Sequence, residues 1–245
     1  MIRVSLRFYG DLNDLLFGSF NGPIVKRHLP SPTSVKDLIE GCGVPHTEVD
    51  LILANNRPVD FSYIIEEDQQ ISVYPFFNHL DIPASERLQK PTLANHRFLA
   101  DTNLGKLARY LRMSGFDTAY IREQSDKEII SQMLGEQRAL LSRDRKLLMH
   151  KVIEYGYLPR SDDPAEQLRE VCRRFDLFDD VNPFSRCPNC NGLLQSVSKE
   201  DVIDQLEPLT KRHFDTFSQC PDCGQIYWSG SHRRRLDPRV KEIIN

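Results

Sequence analysis

The stretch FLADTNLGKLARYLRMSGFDTAYI, residues 98–121, decides the fold predicted for the middle of the chain. An apolar run at 97–100 predicts a short strand that ends at Asp101. Leucines and an alanine then recur at helical spacing up to Gly115, a residue type that often ends helices. A second apolar run at 118–121 predicts another strand. Strand, helix and strand in this order indicate an α/β fold, with a parallel sheet flanked by helices.

The same alternation continues towards the C-terminus. We predict a helix starting near Asp126, a third strand at 138–142, and a helix at 164–175 with one apolar face. In parallel sheets, ligands bind beyond the carboxyl ends of the strands. Asp101 and Asp144 each follow a strand, and Asp126 begins a helix at the same edge. We therefore expect these three carboxylates to converge.

Converging carboxylates repel one another unless a cation lies between them. Carboxylate oxygens suit Mg²⁺ or Mn²⁺ better than zinc, and such an ion can activate water and neutralise a phosphodiester. We predict that Asp101, Asp126 and Asp144 form a catalytic metal site. The alternative is that they only cap helix N-termini, which aspartate favours in any protein. Asn103 replaces the second acid of a phosphatase-type D-x-D motif, which argues against an aspartyl-phosphate mechanism.

The middle of the chain is basic, although the whole chain is not. The full sequence has 32 Lys and Arg against 35 Asp and Glu, a net charge of −3, which argues against a uniformly basic nucleic-acid binder. Residues 97–151, however, hold 11 basic and 7 acidic residues. We predict that basic side chains near the aspartates bind nucleic-acid phosphates, although each taken singly is more often a solvated charge. They are Lys106, Arg109, Arg112, Arg143, Arg145 and Lys146.

Four of the six cysteines form two C-x-x-C pairs. Disulfides are rare in cytosolic chains, and such pairs are typical of a tetrahedral zinc site, with a redox dithiol as the alternative. Four thiolates leave no open position for water, so the predicted zinc is structural, in a zinc ribbon. The predicted ligands are Cys187, Cys190, Cys220 and Cys223. The remaining Cys42 and Cys172 are expected to be small buried side chains.

The 29-residue spacer between the pairs contains a candidate helix at 198–214. Gly192 and Gly224 are expected to supply tight turns after each pair. The apolar face of the candidate helix consists of Val202, Ile203, Leu206 and Leu209.

Aromatic and basic residues follow the second pair. Such a composition is typical of single-stranded nucleic-acid surfaces, so Trp228 and Arg233 are candidate binding residues. The alternative is that Tyr227 and Trp228 pack the small core of the ribbon.

Residues 1–80 have the pattern of a β-grasp domain, with strands and one helix in the order ββαββ. Apolar and polar residues alternate from Ile2 to Phe8, which predicts a half-buried strand. A second strand is predicted at 24–29, a hydroxyl-capped helix after Ser34, and further strands at 50–54 and 71–74. Residues 81–95, with two prolines, are a predicted linker.

Specific motifs resemble known families. The segments VKDLI (35–39), LANN (53–56) and DQQISVYP (68–75) resemble the ubiquitin-like β-grasp sulfur carriers, but the chain lacks their terminal Gly-Gly. The stretch at 98–118 and LSRDRKLL (141–148), with the two cysteine pairs, resembles the Mut-seven C-terminal RNase family.

That resemblance covers about residues 95–235 and implies a PIN-like nuclease domain at 96–180, followed by a zinc ribbon and basic tail at 181–245. It implies metal-dependent RNA cleavage by the aspartates, carried over to Asp101 and Asp144 and less directly to Asp126. PIN nucleases usually have a fourth acid. Its candidates are Glu136, Asp162 and Asp163.

The main hypothesis is a cytoplasmic, divalent-metal-dependent ribonuclease, with RNA as its partner and a possible protein partner for the β-grasp domain. The rival hypothesis is a non-catalytic RNA- or protein-binding adaptor. A third hypothesis links the first domain to sulfur-carrier or tRNA-modification enzymes. No membrane contact is expected, because no apolar run approaches the roughly 20 residues of a membrane helix and no signal peptide is evident.

Overall fold

The computed structural model describes residues 1–18, 22–77, 83, 85–88, 96–120, 122–228 and 238–244. Most of the predicted linker at 81–95 therefore lies outside the described residues. The predicted binding residue Arg233 lies outside them too. The chain divides into two compact units. The first consists of Met1–Thr92 and Ser125–Leu158, and the second of Leu93–Gln124 and Pro159–Asn245.

The N-terminal region is a β-rich, ubiquitin-like fold. Its five-stranded sheet has the order β2-β1-β7-β4-β5, with β1 and β7 parallel and the other pairs antiparallel. A two-stranded sheet pairs β3 with β6. The elements are β1 (Ile2–Phe8), β2 (Ile24–Leu29), β3 (Thr33–Ser34), α1 (Val35–Glu40), β4 (Val49–Ala54), β5 (Arg57–Val59), β6 (Ile64–Ile65) and β7 (Gln69–Pro75).

Local sequence explains these elements. Strand β1 buries Val4, Leu6 and Phe8 on one face, as its alternation predicts. Helix α1 begins where the Ser34 hydroxyl accepts a hydrogen bond from the Asp37 backbone N–H, at 3.0 Å. The predicted β-grasp order is confirmed, with the short strands β3, β5 and β6 in addition.

The first unit also contains residues 125–158, with α3 (Asp126–Glu136), β10 (Ala139–Leu141), α4 (Arg145–Leu148) and β11 (Gly156–Tyr157). Strands β10 and β11 are parallel. Buried polar groups of the N-terminal region hold this segment. The Glu48 carboxylate accepts a hydrogen bond from the Leu158 backbone N–H at 2.7 Å, and His46 Nε2 lies 2.9 Å from the Ile153 carbonyl oxygen. Because a buried polar group is costly to leave unpaired, these contacts fasten the segment to the β-grasp region.

The second unit contains β8 (Phe98–Ala100), α2 (Gly105–Met113), β9 (Thr118–Tyr120) and α5 (Pro164–Phe175). Strands β8 and β9 are parallel. The Phe98 ring packs edge-on against Phe175 of α5 and against Phe116, which follows α2, so these contacts join β8 to α5 and to the turn after α2. The parallel central sheet flanked by helices, predicted from the strand and helix alternation, is confirmed.

The C-terminal part of the second unit is a small antiparallel sheet of order β12-β13-β14 that bears the cysteines. The single helix predicted at 198–214 is wrong. Pro208 begins a separate helix after an extended Leu206–Glu207 link, so only Val202 and Leu206 of the predicted face are buried, while Ile203 and Leu209 are exposed. The elements are β12 (Gln195–Val197), α6 (Lys199–Val202), α7 (Pro208–His213), β13 (Phe217–Gln219), β14 (Ile226–Trp228) and α8 (Pro238–Ile244).

Short 3₁₀ helices complete the described chain, at Gly10–Leu15, His46–Glu48, Thr102–Leu104, Phe178–Asp180 and Ile203–Gln205. None of the helices in the described part of the chain has the length and apolar character that crossing a membrane requires.

Candidate functional site

Two similar turns bring the four cysteines together. In the first, the Cys187 backbone N–H donates to the Gly192 carbonyl at 2.7 Å, and the Asn191 N–H donates to the Cys187 carbonyl at 2.9 Å. In the second, the Cys220 N–H donates to Gln225 at 3.0 Å, and the Gly224 N–H to Cys220 at 2.8 Å. Each turn therefore presents two thiols on one side by local backbone geometry alone.

The four sulfurs fit a tetrahedral zinc site. All four Sγ atoms lie within 4.8 Å of one another, with Cys187 and Cys223 3.7 Å apart and Cys190 and Cys220 3.3 Å apart. A tetrahedron with Zn–S bonds of about 2.3 Å has sulfur–sulfur distances of about 3.8 Å. In the described part of the chain, these cysteines are the one group of three or more potential metal ligands this close together. Donor type and spacing thus fit structural zinc.

In the first cysteine turn, the residue with a left-handed backbone is not the predicted Gly192. Gly224 has a φ of +73°, as expected, but in the first turn Asn191 takes the equivalent position, with a φ of +77°. Gly192 is needed for a different reason. A Cβ atom there would lie 2.1 Å from an Asp222 carboxylate oxygen and 3.0 Å from the Cys220 sulfur. The glycine therefore lets the two turns approach each other.

The surroundings of the thiols favour the thiolate at one position. Burial raises the pKa of the Cys187 thiol, but hydrogen bonds from the Tyr227 hydroxyl and from the Cys190 and Asn189 backbone lower it to about 7. The Tyr227 hydroxyl lies 3.1 Å from the Cys187 sulfur. Burial raises the pKa of Cys190 to about 12. Metal binding requires thiolates, so it releases protons from this cluster.

A network of polar contacts ties the first turn to strand β9. Arg112 is buried, and its Nε donates to the Thr118 carbonyl at 2.8 Å while its Nη1 donates to the Asn189 carbonyl at 2.8 Å. Asn191 Oδ1 accepts from the Thr118 N–H at 2.9 Å, and Asn191 Nδ2 donates to Asp117 at 2.8 Å. Arg112, which the sequence suggested as a nucleic-acid contact, thus has a structural role within the fold.

Asp101 caps the turn that leads into α2. Its Oδ1 accepts from the Thr102 backbone N–H at 2.6 Å and from the Thr102 hydroxyl at 3.1 Å. The capping alternative therefore applies to Asp101. A carboxylate offers two oxygens with about four lone-pair sites, so capping does not preclude metal binding.

Asp144 and Asp126 lie in the first unit, at the starts of α4 and α3. Asp144 Oδ1 accepts from the backbone N–H groups of Lys146 and Leu147, at 2.8 and 3.2 Å, so Asp144 is an N-cap. Asp126 is exposed, and its Oδ2 lies 3.8 Å from His150 Nε2. Sequence reasoning did not single out His150, because no motif marks it.

The candidate fourth acids have structural partners. Asp163 Oδ1 accepts from the Ala165 and Glu166 N–H groups and caps α5. Glu136 pairs with Arg138. Asp162 is exposed.

The other predicted binding residues differ in their exposure. Arg145 donates to the Leu15 carbonyl at 2.6 Å, and its guanidinium lies 5.9 Å from the Phe17 ring centroid, so the first domain already engages it. Trp228 packs against the small ribbon core beside Phe214, with ring centroids 6.3 Å apart. Lys106, Arg109, Arg143 and Lys146 are exposed.

The two remaining cysteines are fully buried, as expected. Burial raises the pKa of Cys42 to about 11 and that of Cys172 to about 12. Both side chains therefore stay protonated near neutral pH and are inert.

Comparisons with known proteins identify similar families. A family model described as "Mut7-C RNAse domain" matches residues 96–240, and one described as "Mut7-C ubiquitin" matches residues 1–81. A solved structure from Pyrococcus furiosus, described as "Putative molybdopterin converting factor, subunit 1", matches with 17% identity, covering 31% of this chain and 98% of that chain, at a TM-score of 0.24. Comparison with curated proteins finds no match. The family resemblance inferred from the sequence motifs is confirmed.

Proposed function

Because the chain belongs to the Mut7-C RNAse domain family, we propose that it is a divalent-metal-dependent ribonuclease whose acids are Asp101, Asp126 and Asp144. The observation that carries this proposal is the family match over residues 96–240. The β-grasp region then serves to bind a protein partner, and the chain acts on RNA in the cytoplasm.

The chemistry of the donors supports Mg²⁺ or Mn²⁺ rather than zinc at the aspartates, because hard cations prefer carboxylate oxygens. Such an ion, when bound, would activate water and neutralise charge on the phosphodiester. Asp144 is exposed and accepts both of its hydrogen bonds at Oδ1. Its Oδ2 has no hydrogen bond with any residue in the described ranges, so Asp144 can hold a cation and cap α4 at the same time.

Exposed basic residues that lie close to these acids in the sequence would hold the RNA backbone. Lys106 and Arg109 lie on α2, which starts four residues after Asp101. Arg143 and Lys146 flank Asp144 and are exposed. Positive side chains at these positions orient phosphates without reading the base sequence.

Substitution of Asp101 by Asn tests the proposal. Asn caps helices about as well as Asp, so the fold is preserved while a carboxylate is lost. We expect cleavage of labelled single-stranded RNA to fall by about 100-fold or more, since the metal loses a ligand. RNA binding should persist, because the basic residues remain.

The matched control is Asp60→Asn in the first domain, where Asp60 Oδ1 accepts a hydrogen bond from the Ser62 N–H at 2.8 Å. This variant should cleave RNA at the wild-type rate. Undiminished cleavage by Asp101→Asn would exclude the acid from the reaction.

The second candidate function is a non-catalytic RNA- or protein-binding adaptor. It is favoured by one observation: Asp101 and Asp144 both act as helix caps, while the cysteines form the one tight metal-type cluster among the described residues. An adaptor binds RNA with normal affinity but cleaves none with Mg²⁺ or Mn²⁺ present.

A further inference from the structure

The second unit contains a cleft lined by basic and aromatic side chains. It has a volume of about 340 Å³, near the lower end of the roughly 300–1,000 Å³ of small-ligand sites. It lies between the start of α2, the end of β9 and the two cysteine turns. Three arginines line it, and none of the described residues that line it is acidic. They are Arg109, Arg112 and Arg122.

The walls of the cleft are held in place by internal contacts. Arg112 is fixed by the backbone carbonyls of Thr118 and Asn189. Tyr227 also lines the cleft, and its hydroxyl lies 3.1 Å from the Cys187 sulfur. The shape of the cleft therefore depends on the two turns that carry the four cysteines.

An aromatic side chain, Tyr120, also lines the cleft. The Tyr120 hydroxyl donates to the carbonyl oxygen of Thr102 at 2.7 Å, and Thr102 directly follows Asp101 in the chain. Gly105 permits this approach, because a Cβ atom there would lie 2.9 Å from the Tyr120 hydroxyl oxygen. The cleft therefore adjoins the turn that Asp101 caps.

Two of the arginines are available to a ligand. Arg109 is exposed and has no ion pair or hydrogen bond with any residue in the described ranges. Arg122 is exposed too, with its guanidinium 5.8 Å from the Tyr120 ring centroid and, again among the described residues, no acidic partner. Guanidinium groups beside an aromatic ring are suited to a nucleotide, whose phosphate pairs with arginine and whose base stacks.

We propose that this cleft binds a backbone phosphate of single-stranded RNA between Arg109 and Arg122, with Tyr120 as a stacking surface, and so places the strand beside Asp101. The inference rests on the proposed action on RNA. It assigns Arg122 and Tyr120, which lie in no motif, to substrate binding. It also gives the two cysteine turns a role in forming the binding surface.

The test is RNA binding by full-length, zinc-loaded protein without Mg²⁺ or Mn²⁺, so that no cleavage occurs. The probe is a short fluorescent single-stranded RNA with a 5′-hydroxyl end, followed by anisotropy at several salt concentrations. We expect Arg109→Gln and Arg122→Gln each to weaken binding about 5- to 10-fold and to reduce the slope of log K against log salt by about 0.7. Arg212→Gln, an exposed arginine of α7 outside the cleft, is the control and should bind as the wild type does.

Zinc content and thermal stability, measured for each variant, separate loss of binding from loss of folding. Wild-type affinity and salt slope in both cleft variants would overturn the proposal, as would an equal loss in the Arg212 control. An acidic peptide that loses affinity for the variants while RNA does not would overturn it in favour of a protein ligand. A chain that cleaves no RNA but shows the expected binding losses would refute the proposed function and leave the cleft assignment standing.

Discussion

The cysteine cluster and the three aspartates are both predicted metal sites, but they are built differently. The cysteine thiols come from two turns whose own backbone hydrogen bonds direct them to one point. The aspartates begin separate helices, and Asp101 and Asp144 are N-caps there. A structural zinc site must hold its ligands together to contribute to folding. A carboxylate that begins a helix has a structural role of its own, and catalysis has to be demonstrated in addition to it.

The largest effect is expected from loss of a cysteine ligand. Cys220→Ser should abolish binding of one zinc per chain and unfold the ribbon, because zinc contributes on the order of 10 kcal/mol to folding in small zinc domains. Zinc content by elemental analysis and thermal unfolding measure this change. Cys42→Ala is the matched control and should retain the zinc. Full stability of a zinc-free Cys220→Ser protein would show that the metal does not hold the ribbon.

The next largest effect is expected on the stability of the protein when Arg112 is substituted. Arg112→Gln removes charged hydrogen bonds to the backbone carbonyls of Thr118 and Asn189, so the free energy of unfolding should fall by about 2 kcal/mol. Chemical denaturation of the zinc-loaded protein measures this loss. If Arg112 instead acts mainly as a surface RNA contact, stability will be unchanged and RNA affinity alone will fall.

Asp144 allows capping to be separated from catalysis. Asp144→Ala should cost about 1 kcal/mol of stability, whereas Asp144→Asn should cost little, because Asn also caps. Under the proposed mechanism both variants lose RNA cleavage to a similar extent. If the Asn variant still cleaves RNA and only the less stable Ala variant loses cleavage, Asp144 is a helix cap and has no part in the reaction.

The smallest expected effect is a difference in alkylation between the two buried cysteines and the four ribbon cysteines. Burial raises the pKa of Cys42 to about 11 and of Cys172 to about 12, so at pH 8 both are neutral thiols and should resist alkylation in the folded protein. Reactivity would rise only as the pH approaches those values. Removal of zinc should expose the four ribbon thiols to iodoacetamide, which mass spectrometry can map. Rapid labelling of Cys172 in the native protein would contradict its burial.

Features set by nearby residues were predictable from the sequence. The alternation in β1, the hydroxyl cap of α1 and the two C-x-x-C pairs all depend on residues a few positions apart. Features that depend on distant residues were not. Nothing local marks Arg112 as buried, because the carbonyls of Pro188 and Asn189 that it binds lie more than 70 positions away. Pro208 breaks the helix that apolar periodicity predicts at 198–214, because proline cannot continue a helix from the preceding turn.

The most direct test of the central claim is RNA cleavage as a function of added Mg²⁺ or Mn²⁺ at constant zinc content. The contaminating metal is removed by dialysis rather than with a chelator, because a chelator would also take the zinc from the cysteines. We predict no cleavage of labelled single-stranded RNA without added metal and a rate that rises to saturation as Mg²⁺ or Mn²⁺ is added. Cleavage at the full rate without added metal, or no cleavage at any concentration by folded, zinc-loaded protein, would contradict the proposed function.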